Sequence, residues 1–267
     1  MKLRRKIVKK PWGQTALPEI FGGKQKEKTG EIWFQAPKGV TPALMTKYLF
    51  TSEKLSIQVH PDNRLARREG YPHGKDECWY VVDAEPEALL GLGLTKEVSR
   101  TKLHAAVACG QLEPLIDWKP VRAGDFYYVP AGTIHAIGPG ITLIEVQQNV
   151  DLTYRLYDYG RPRELHLEQA LEAATLKPYA DDNHLAVDPG TTAQLREGRH
   201  FRLFHVAGTD VGTLGEAKAA EWQVVPLEGK TTVRDKLIAP GECGLCTKLS
   251  EIDLSQNQRC LIATTVK

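Results

Sequence analysis

The sequence predicts a mainly β protein, in which a barrel or sandwich of short strands with helical insertions precedes a smaller β unit. Three observations support this fold class. Most of the patterned sequence consists of short stretches rich in β-branched and aromatic residues and bounded by Gly, Pro or Asp. The connections carry turn residues, as in "APKG", "PAGT" and "GPG". Two stretches space their apolar residues at helical intervals instead. Many short strands separated by turns are typical of sandwiches and barrels.

The strands of the first unit are predicted from a set of short stretches: "EIWFQAP", "MTKYLF", "LSIQVH", "CWYVVDA", "DFYYVP", "ITLIEVQQ" and "LTYRLYDY". The basic opening "MKLRRKIVKK" is interpreted as an edge strand or a solvated tail, because short charge runs are usually solvated. No apolar segment typical of a secretory signal follows it, and no apolar stretch of about 18 residues is present to span a membrane.

Helical spacing appears in two places. In residues 96–116 the apolar positions recur at helical intervals, and Gly110 predicts a helix end followed by a second turn over 112–116. Residues 164–176 bring a row of leucines and alanines onto one face, which predicts the other helix.

A polar loop, "KPYADDNHLAVDPGTT", follows the second predicted helix and indicates a boundary. Beyond it strand patterns return, in "FRLFHVAG", "EWQVVPLEG", "KTTV" and "CLIATTV". We therefore expect a catalytic domain with helical decoration over residues 1–180. Residues 195–267 are expected to form a smaller β domain that packs against it.

Composition and charge exclude several classes of function. The chain has 267 residues, of which 42% are hydrophobic and 25% charged, with a formal net charge of +2. This is a globular composition, and the charge is too balanced to indicate binding to nucleic acid or to a membrane. The five cysteines are an odd number and fit a reducing compartment, so we expect a cytoplasmic protein.

The pair Cys243 and Cys246 has the CxxC spacing of a redox or zinc motif. A zinc knuckle needs further cysteines or histidines, which the downstream sequence does not supply. A thioredoxin-like motif needs a following helix, whereas "TKLSEI" and "RCLIATTV" have strand patterns. We therefore interpret the pair as structural thiols.

The stretch "SIQVHPDN" carries the first sign of chemistry. In a strand, Ser56, Gln58 and His60 lie on one face, while Ile57 and Val59 lie on the other. A polar barrel interior is costly unless it holds water, a ligand or a metal. Two such residues together strengthen the indication of a site, but from this stretch alone hydrogen-bonded core residues remain at least as good an interpretation.

Two further stretches add ionisable groups beside turns. Glu77 immediately precedes the strand "CWYVV", and His135 follows the turn "PAGT". With His60 they offer two imidazoles and one carboxylate, and Gln58 offers an amide oxygen. This open ligand set suits zinc, with iron or manganese as alternatives. Taken singly, Glu77 is more typical of a turn carboxylate that caps a strand; the full set of residues favours the ligand.

Four of these motifs, in this order, resemble the type I mannose-6-phosphate isomerases, which are zinc enzymes of the cupin superfamily: "LSIQVHPDN", "GKDECWYVVDA", "GDFYYVPAGTIHAIG" and "TYRLYDYGR". The earlier "KPWG" and "GEIWF" are also similar to the start of that family. The resemblance runs from about Lys10 to about Leu176 and is only loose after residue 200. It implies a cupin jelly-roll barrel with helical insertions. The strand content after residue 200 separately predicts a degenerate second cupin-like barrel that packs against the first.

The resemblance also implies a reaction and a set of residues. The reaction is the interconversion of D-mannose 6-phosphate and D-fructose 6-phosphate through an enediol-type intermediate, with one Zn²⁺ per chain. The implied zinc ligands are Gln58, His60, Glu77 and His135. The implied catalytic residues are Arg155, Glu145 and Lys75. The expected substrate contacts are Lys47, Ser56, Lys75 and Arg155.

Glu145 is the preferred proton carrier, because one carboxylate can serve both reacting carbons from one face, and Lys75 is the second choice. Asp76, between two of the implied site residues, stands where other members of the family vary and is assigned no role. The phosphate contact is left open among four cations: Lys47, Arg155, Arg161 and Arg163.

Several alternatives remain open. Lys47 and Lys75 are also consistent with surface lysines, and Arg155 with a structural ion pair to Glu145. The tryptophans at positions 12, 33 and 79 are interpreted as core and rim residues. Other functions are another cupin enzyme, such as an iron-dependent dioxygenase or a different sugar-phosphate isomerase, or a sugar-phosphate-binding cupin without turnover. We expect a monomer or a weak homo-oligomer.

Overall fold

The structure is a computed structural model that describes residues 1–266, and it is mainly β, as predicted. The strands are β1 (Arg4–Ala16), β2 (Lys24–Gln35), β3 (Leu44–Thr51), β4 (Ile57–Val59), β5 (Glu77–Ala84), β6 (Leu89–Leu94), β7 (Ile116–Pro120), β8 (Asp125–Val129), β9 (His135–Ile137), β10 (Ile141–Gln148), β11 (Tyr154–Tyr157), β12 (His184–Ala186), β13 (Ala193–Glu197), β14 (Phe201–Ala207), β15 (Trp222–Gly229), β16 (Thr231–Val233), β17 (Lys236–Ile238), β18 (Gly244–Cys246), β19 (Ile252–Asp253) and β20 (Asn257–Thr265).

The α-helices are α1 (Asn63–Arg68), α2 (Arg100–Ala108) and α3 (Leu167–Ala173). Short 3₁₀ turns cover Glu19–Phe21, Glu113–Leu115, Asp181–Asn183, Gly212–Glu216 and Leu249–Glu251. Both predicted helices are present as α2 and α3, and the predicted second turn after Gly110 is the 3₁₀ turn before β7. None of these described helices is both long and apolar enough to cross a membrane.

One short helix was missed, and one local expectation is wrong. Helix α1 was not predicted, because six residues are too few for a periodic signal; the available signal is Asp62, whose carboxylate caps the helix by accepting a hydrogen bond from Leu65 N at 2.7 Å. The segment "TKLSEI" was expected to be a strand. It is largely a 3₁₀ turn followed by the two-residue strand β19, with Glu251 accepting hydrogen bonds from the backbone of Thr247 and Lys248.

The first part of the chain forms two antiparallel sheets. The larger has the order β1-β2-β3-β10-β5-β8-β12, and the smaller has the order β11-β4-β9-β6-β7. The basic opening of the chain is therefore an edge strand of the larger sheet. An apolar core lies between the sheets and includes Leu49, Trp79, Leu92, Ile137 and Leu143. This two-sheet arrangement agrees with the sandwich or barrel that the strand pattern predicted.

Side-chain alternation along β5 shows how the barrel interior becomes polar at one end. Trp79 and Val81 belong to the core between the two sheets, whereas Cys78 and Tyr80 belong to the core on the outer side of the larger sheet. Glu77 occupies the next inward position. The same alternation places Lys47 of β3 and Glu145 of β10 inside the barrel, near Glu77.

The helices cover the smaller sheet. A second apolar core joins its outer face to α1, α2 and α3, with Ile57, Leu65, Leu103, Leu156 and Leu171 among its members. Burying each of these side chains stabilises the fold by roughly 1.5–3 kcal/mol. The helices therefore hold in place the short strands β4 and β9, which carry site residues.

The second part of the chain forms a five-stranded sheet, in the order β13-β14-β20-β15-β18, and a three-stranded sheet, in the order β17-β16-β19. The five-stranded sheet packs against the outer face of the seven-stranded one through a large apolar core, and Thr46 Oγ1 donates a buried hydrogen bond to Gln223 Oε1 at 2.7 Å across it. The chain thus has the predicted fold class of a helix-decorated β barrel followed by a smaller β unit.

Candidate metal centre and active site

Three ionisable side chains converge inside the first barrel. His60, Glu77 and His135 are each 1% exposed, and one ligand atom of each lies within 4.8 Å of the others. The Nε2 atoms of both histidines lie 3.4 Å from the Glu77 carboxylate, one from each of its oxygens. Within residues 1–266 this is the group of His, Cys, Asp or Glu side chains with the geometry to hold a metal ion.

The orientation of both imidazoles is fixed from behind. His60 Nδ1 lies 2.9 Å from the carbonyl oxygen of Leu152, and His135 Nδ1 lies 2.9 Å from that of Thr133. A carbonyl only accepts, so Nδ1 carries the proton and donates it, and Nε2 presents its lone pair to Glu77. This backbone support is typical of metal-bound histidine.

The charges of the cluster are those that a metal requires. Burial, followed by the nearby Lys75 ammonium, lowers the pKa of His60 to about 3. Burial likewise lowers the pKa of His135. For Glu77, burial raises the pKa, but Lys75 and His60 outweigh it, so that the pKa lies well below its ordinary value. Two neutral imidazoles and one carboxylate therefore face one another, and a cation fits among them.

Gln58, the fourth predicted ligand, adjoins the cluster. Its backbone pairs with His135 across β4 and β9, and its amide Nε2 lies 3.2 Å from His135 Nε2. The amide oxygen accepts a hydrogen bond from Ser56 Oγ at 3.0 Å. Rotation of the amide group by half a turn would exchange the two atoms and present the oxygen to the cluster, because the amide is nearly symmetric in shape.

Gly74 allows the ligand-bearing segments to approach each other closely. A Cβ at this position would lie 2.3 Å from the carbonyl oxygen of Pro61, which no side chain tolerates. The next residue, Lys75, donates its backbone N–H to that same oxygen at 3.0 Å. The start of β5, with Glu77, is thereby held against the end of the β4 segment, with His60.

Two lysines and a second carboxylate extend the cluster into the cavity. Lys75 Nζ lies 2.5 Å from Glu77 Oε2, 3.1 Å from His60 Nε2 and 3.6 Å from Glu145 Oε1. Lys47, directly opposite Glu145 in the β3–β10 pairing, places its Nζ 2.7 Å from the same Glu145 oxygen. Both lysines are buried, so their alternative as surface lysines is wrong.

Glu31 and Lys10 continue this alternation of charge, and the sequence analysis missed both as members of the site. Glu31 lies 3.6 Å from Lys47 and 3.3 Å from Lys10, and it accepts a hydrogen bond from Trp33 Nε1 at 2.5 Å. Burial lowers the pKa of Lys47, but the carboxylates of Glu145 and Glu31 outweigh it, so its pKa is raised and it stays an ammonium. The available signal was the spacing of Glu31 and Trp33 in "GEIWF", which puts them on one strand face.

Arg155 lies on the other side of Gln58, opposite it in the β11–β4 pairing. Its Nε is buried and has no hydrogen-bond partner among the described residues. Its proposed ion pair with Glu145 is not found there; the cations within 4 Å of Glu145 are Lys47 and Lys75. Arg155 therefore faces the cavity with free hydrogen-bonding capacity.

One cavity is lined by Glu77, by the lysines and other glutamates described above, and by Arg155. Its lining includes the following residues: Lys10, Trp12, Glu31, Trp33, Lys47, Ser56, Gln58, Lys75, Glu77, Trp79, Glu145, Asp151, Thr153, Arg155 and Arg163. The free volume inside is about 70 Å³, so the cavity is narrow and strongly polar. Arg163 reaches the cavity, while Arg161 lies outside its lining and contacts Asp158 and Glu53.

A larger cleft of about 1020 Å³ lies elsewhere, between the barrel and the β13–β14 turn, and is lined by Arg64, Tyr128, Tyr179, Arg196 and Arg199 among others. Despite its size, the described residues that line it include no group of His, Cys, Asp or Glu side chains with the geometry to hold a metal ion. The smaller cavity is the candidate active site, because its lining includes Glu77 of the candidate metal cluster, a carboxylate held by two ammonium groups, and the guanidinium of Arg155.

Comparison with known proteins identifies similar chains. No family model matches the sequence. The mannose-6-phosphate isomerase of Streptococcus mutans serotype c is 37% identical over 213 residues, which cover 65% of this chain and 67% of that protein. The mannose-6-phosphate isomerase ManA of Bacillus subtilis is 36% identical over 234 residues, which cover 72% of this chain and 74% of that protein.

Solved structures agree with this. The crystal structure of the mannose 6-phosphate isomerase from Bacillus subtilis matches with a TM-score of 0.78 at 29% identity, over 98% of both chains. A mutant of phosphomannose isomerase from Salmonella typhimurium matches with a TM-score of 0.72 at 15% identity, over 100% of this chain and 99% of that one. At that identity the second match shows the shared fold alone.

Proposed function

The chain belongs to the mannose-6-phosphate isomerase family, and on this premise we propose that it interconverts D-mannose 6-phosphate and D-fructose 6-phosphate. One observation carries the proposal beyond the family relationship. Glu77 lines the same narrow cavity as Glu145 and Lys75, and its carboxylate lies 3.4 Å from the Nε2 atoms of His60 and His135. A metal held by this cluster would therefore lie beside a carboxylate and an ammonium that can act on the same small substrate.

We propose Zn²⁺ as the resident metal, held by His60, Glu77 and His135 with Gln58 as the fourth ligand. Two imidazole nitrogens, a carboxylate and an amide oxygen suit zinc, and a fifth coordination position would be needed for water or substrate, which zinc can provide. When bound, zinc acts as a Lewis acid that withdraws charge from a substrate oxygen.

Glu145 is the proposed carrier of the proton between C1 and C2 of the sugar. Its carboxylate is held by the ammonium groups of Lys47 and Lys75, at 2.7 and 3.6 Å. A single fixed carboxylate can remove a proton from one carbon and return it to the other on the same face. General acid–base catalysis of this kind contributes about 10²- to 10⁴-fold to rate.

Cationic side chains balance the negative charge that develops on oxygen during enolisation. Lys75 lies beside the metal ligands, and Arg155 faces the cavity from β11 with a buried Nε that lacks a partner. Preorganised donors in a site with little water stabilise such charge more strongly than water does.

The phosphate of the substrate needs donors at the edge of the cavity. Among the four cations considered from sequence, Arg155 and Arg163 line the cavity and are free of Glu145. Asp158 holds Arg163 through contacts to Nε and Nη2, both at 2.6 Å, which fixes the guanidinium plane. We propose these two arginines as the phosphate contacts, because a planar guanidinium matches phosphate geometry.

We further propose that residues 1–180 are the catalytic unit and that residues 195–267 support it from outside.

We also propose that the protein is located in the cytoplasm. The cysteines at positions 78, 109, 243, 246 and 260 are free, which favours a reducing compartment.

The test is a turnover assay on the purified chain. We expect conversion of mannose 6-phosphate to fructose 6-phosphate, its loss after a chelator, and its return when Zn²⁺ is added. In parallel, an oxygen electrode measures oxygen consumption, and the same turnover assay is repeated with a panel of other aldose phosphates. Oxygen consumption would indicate a dioxygenase, and faster turnover of another sugar would indicate a different isomerase. If zinc-loaded protein binds mannose 6-phosphate but forms no product, the proposal is wrong and a binding function remains.

A further inference from the structure

We propose that Asp76 is a positioning residue that holds the two histidine ligands and Glu77 in one arrangement and thereby sets the affinity of the metal site. This inference rests on the proposed metal site but does not depend on which sugar phosphate is the substrate. Asp76 stands between Lys75 and Glu77 and faces the other way, because side chains alternate along an extended chain. It is 5% exposed, so its carboxylate must find its partners inside the protein.

The carboxylate joins β5 to the loop between β8 and β9. Asp76 Oδ1 accepts the backbone N–H of Ala131 at 2.9 Å, and Oδ2 accepts the hydroxyl of Tyr128 at 2.5 Å. Both carboxylate oxygens are therefore used by the segment that leads into His135. Hydrogen bonds to an ionised acceptor are shorter and stronger than those between neutral groups.

That loop orients both histidine ligands. The Thr133 carbonyl accepts the Nδ1–H of His135 at 2.9 Å. Gly132 N–H donates to the carbonyl of His60 at 2.8 Å. A shift of the loop at Ala131 would therefore move the support of one imidazole and the backbone of the other together.

The backbone of Asp76 is fastened on its other side. Its N–H donates to Gln148 Oε1 at 3.0 Å, and its carbonyl accepts Gln148 N–H at 3.1 Å. Gln148 Nε2 donates to Asn63 Oδ1 at 3.2 Å, and the same oxygen accepts Gly74 N–H at 2.8 Å. The segment that carries Glu77 is thus tied to β10 and to the start of α1, so Asp76 connects two parts that are both well anchored.

The predicted consequence is on metal affinity. Removal of an outer-shell hydrogen bond to a metal ligand typically weakens metal binding about 10- to 100-fold. Asp76 acts on the supports of two ligands and on the neighbouring backbone of the third, so we expect Asp76→Ala to fall in this range. Asp76→Asn keeps an acceptor for Ala131 N–H and an amide for the Tyr128 oxygen, and we expect it to retain most of the affinity.

The experiment measures the Kd of Zn²⁺ by competition with a chromophoric chelator, together with the urea midpoint of the metal-free protein. The variants are Asp76→Ala, Asp76→Asn and Tyr128→Phe. The control is Asn257→Ala, which removes a buried side chain that donates to the carbonyl of Gly208 at 2.7 Å in the second β unit. We expect the control to lower the urea midpoint and leave the zinc Kd unchanged.

An increase of the zinc Kd in Asp76→Ala, with recovery in Asp76→Asn, supports the proposal. Equal zinc affinity in Asp76→Ala and wild type, with a lowered urea midpoint like that of the control, overturns it and leaves a purely structural role. If Asp76→Ala does not fold, Tyr128→Phe decides, since it removes one hydrogen bond: a Kd raised severalfold supports the proposal and an unchanged Kd overturns it. Wild-type protein that binds zinc but does not isomerise would contradict the proposed function alone, whereas wild-type protein that does not bind zinc would contradict both.

Discussion

The two β units of this protein differ in the side chains that their strands direct into the interior. The interior of the first becomes polar at one end, where two histidines, two lysines and three glutamates meet. The interior of the second is dominated by an apolar cluster that includes Phe204, Val206, Trp222, Val224 and Ile262. Both are antiparallel sheets packed face to face, so the architecture alone does not make the site. The candidate site depends on a few inward positions of β3, β5, β9 and β10 and on the segment from Gln58 to His60 at β4.

The difference also predicts which unit is sensitive to single changes. Buried charges are costly, and removing one partner of a buried ion pair typically destabilises a protein by about 3–5 kcal/mol. In the first unit the buried Glu145 has two partners of opposite sign, the ammonium groups of Lys47 and Lys75. In the second unit, a substitution in the core lowers stability through the loss of apolar packing.

The largest expected effect is that of Glu77→Gln. The amide removes the negative charge of the metal cluster, so we expect zinc to be lost and kcat/KM to fall by about 1,000-fold or more. Metal content and initial rates measure this. Glu228→Gln, an exposed carboxylate of the second unit that pairs with Arg259, is the control and should keep both properties. If Glu77→Gln kept one zinc ion per chain and wild-type activity, the proposed functional difference between the two units would be contradicted.

The second effect is that of Glu145→Gln, which tests the proton carrier separately from the metal. We expect zinc to remain bound and kcat to fall by about 10²- to 10⁴-fold, because the amide cannot accept the proton. Assays stopped at successive times in deuterated solvent measure both the incorporation of deuterium into the product and the rate of turnover. Wild-type kcat in this variant would transfer the role to Lys75, and Lys75→Met then becomes the decisive variant.

A smaller effect is expected at the cavity edge. Arg163→Ala should raise KM about tenfold and change kcat little, because it removes a phosphate contact and not a reacting group. Arg161→Ala is a matched control: both arginines contact Asp158, but only Arg163 lines the cavity. Equal changes in KM for the two variants would show that Asp158, and not the phosphate contact, is responsible.

The smallest effect on catalysis is expected in the second unit. Phe204→Ala removes a side chain that is 1% exposed and should cost about 3–5 kcal/mol of stability. We expect kcat/KM to be unchanged at temperatures where the variant is folded. Urea unfolding and initial rates measure the two quantities. A large loss of kcat without a change of stability would make the second unit part of the catalytic machinery.

The sequence predicted the fold class and the place of the helices because strand alternation and helical spacing are local signals. The same alternation put Gln58 and His60 on one face, and the structure brings both to the cluster with Glu77 and His135. The family resemblance supplied the roles, which no local pattern carries.

Other features depend on contacts between distant segments. Glu31 belongs to the site because β2 pairs with β3 and brings it to Lys47, a pairing that local sequence does not specify. Asp76 looks like a turn carboxylate in isolation; its partners Tyr128 and Ala131 are more than 50 residues away in the chain. Helix α1 escaped prediction because it is too short for a periodic signal.

The most direct test of the account is a zinc titration of chelator-treated protein, followed by isomerisation of mannose 6-phosphate. We predict that activity rises from near zero in proportion to added Zn²⁺ and stops rising at one equivalent per chain, as one site in the first barrel requires. Full activity in protein shown to be free of metal would contradict the central claim that His60, Glu77 and His135 hold a catalytic cation.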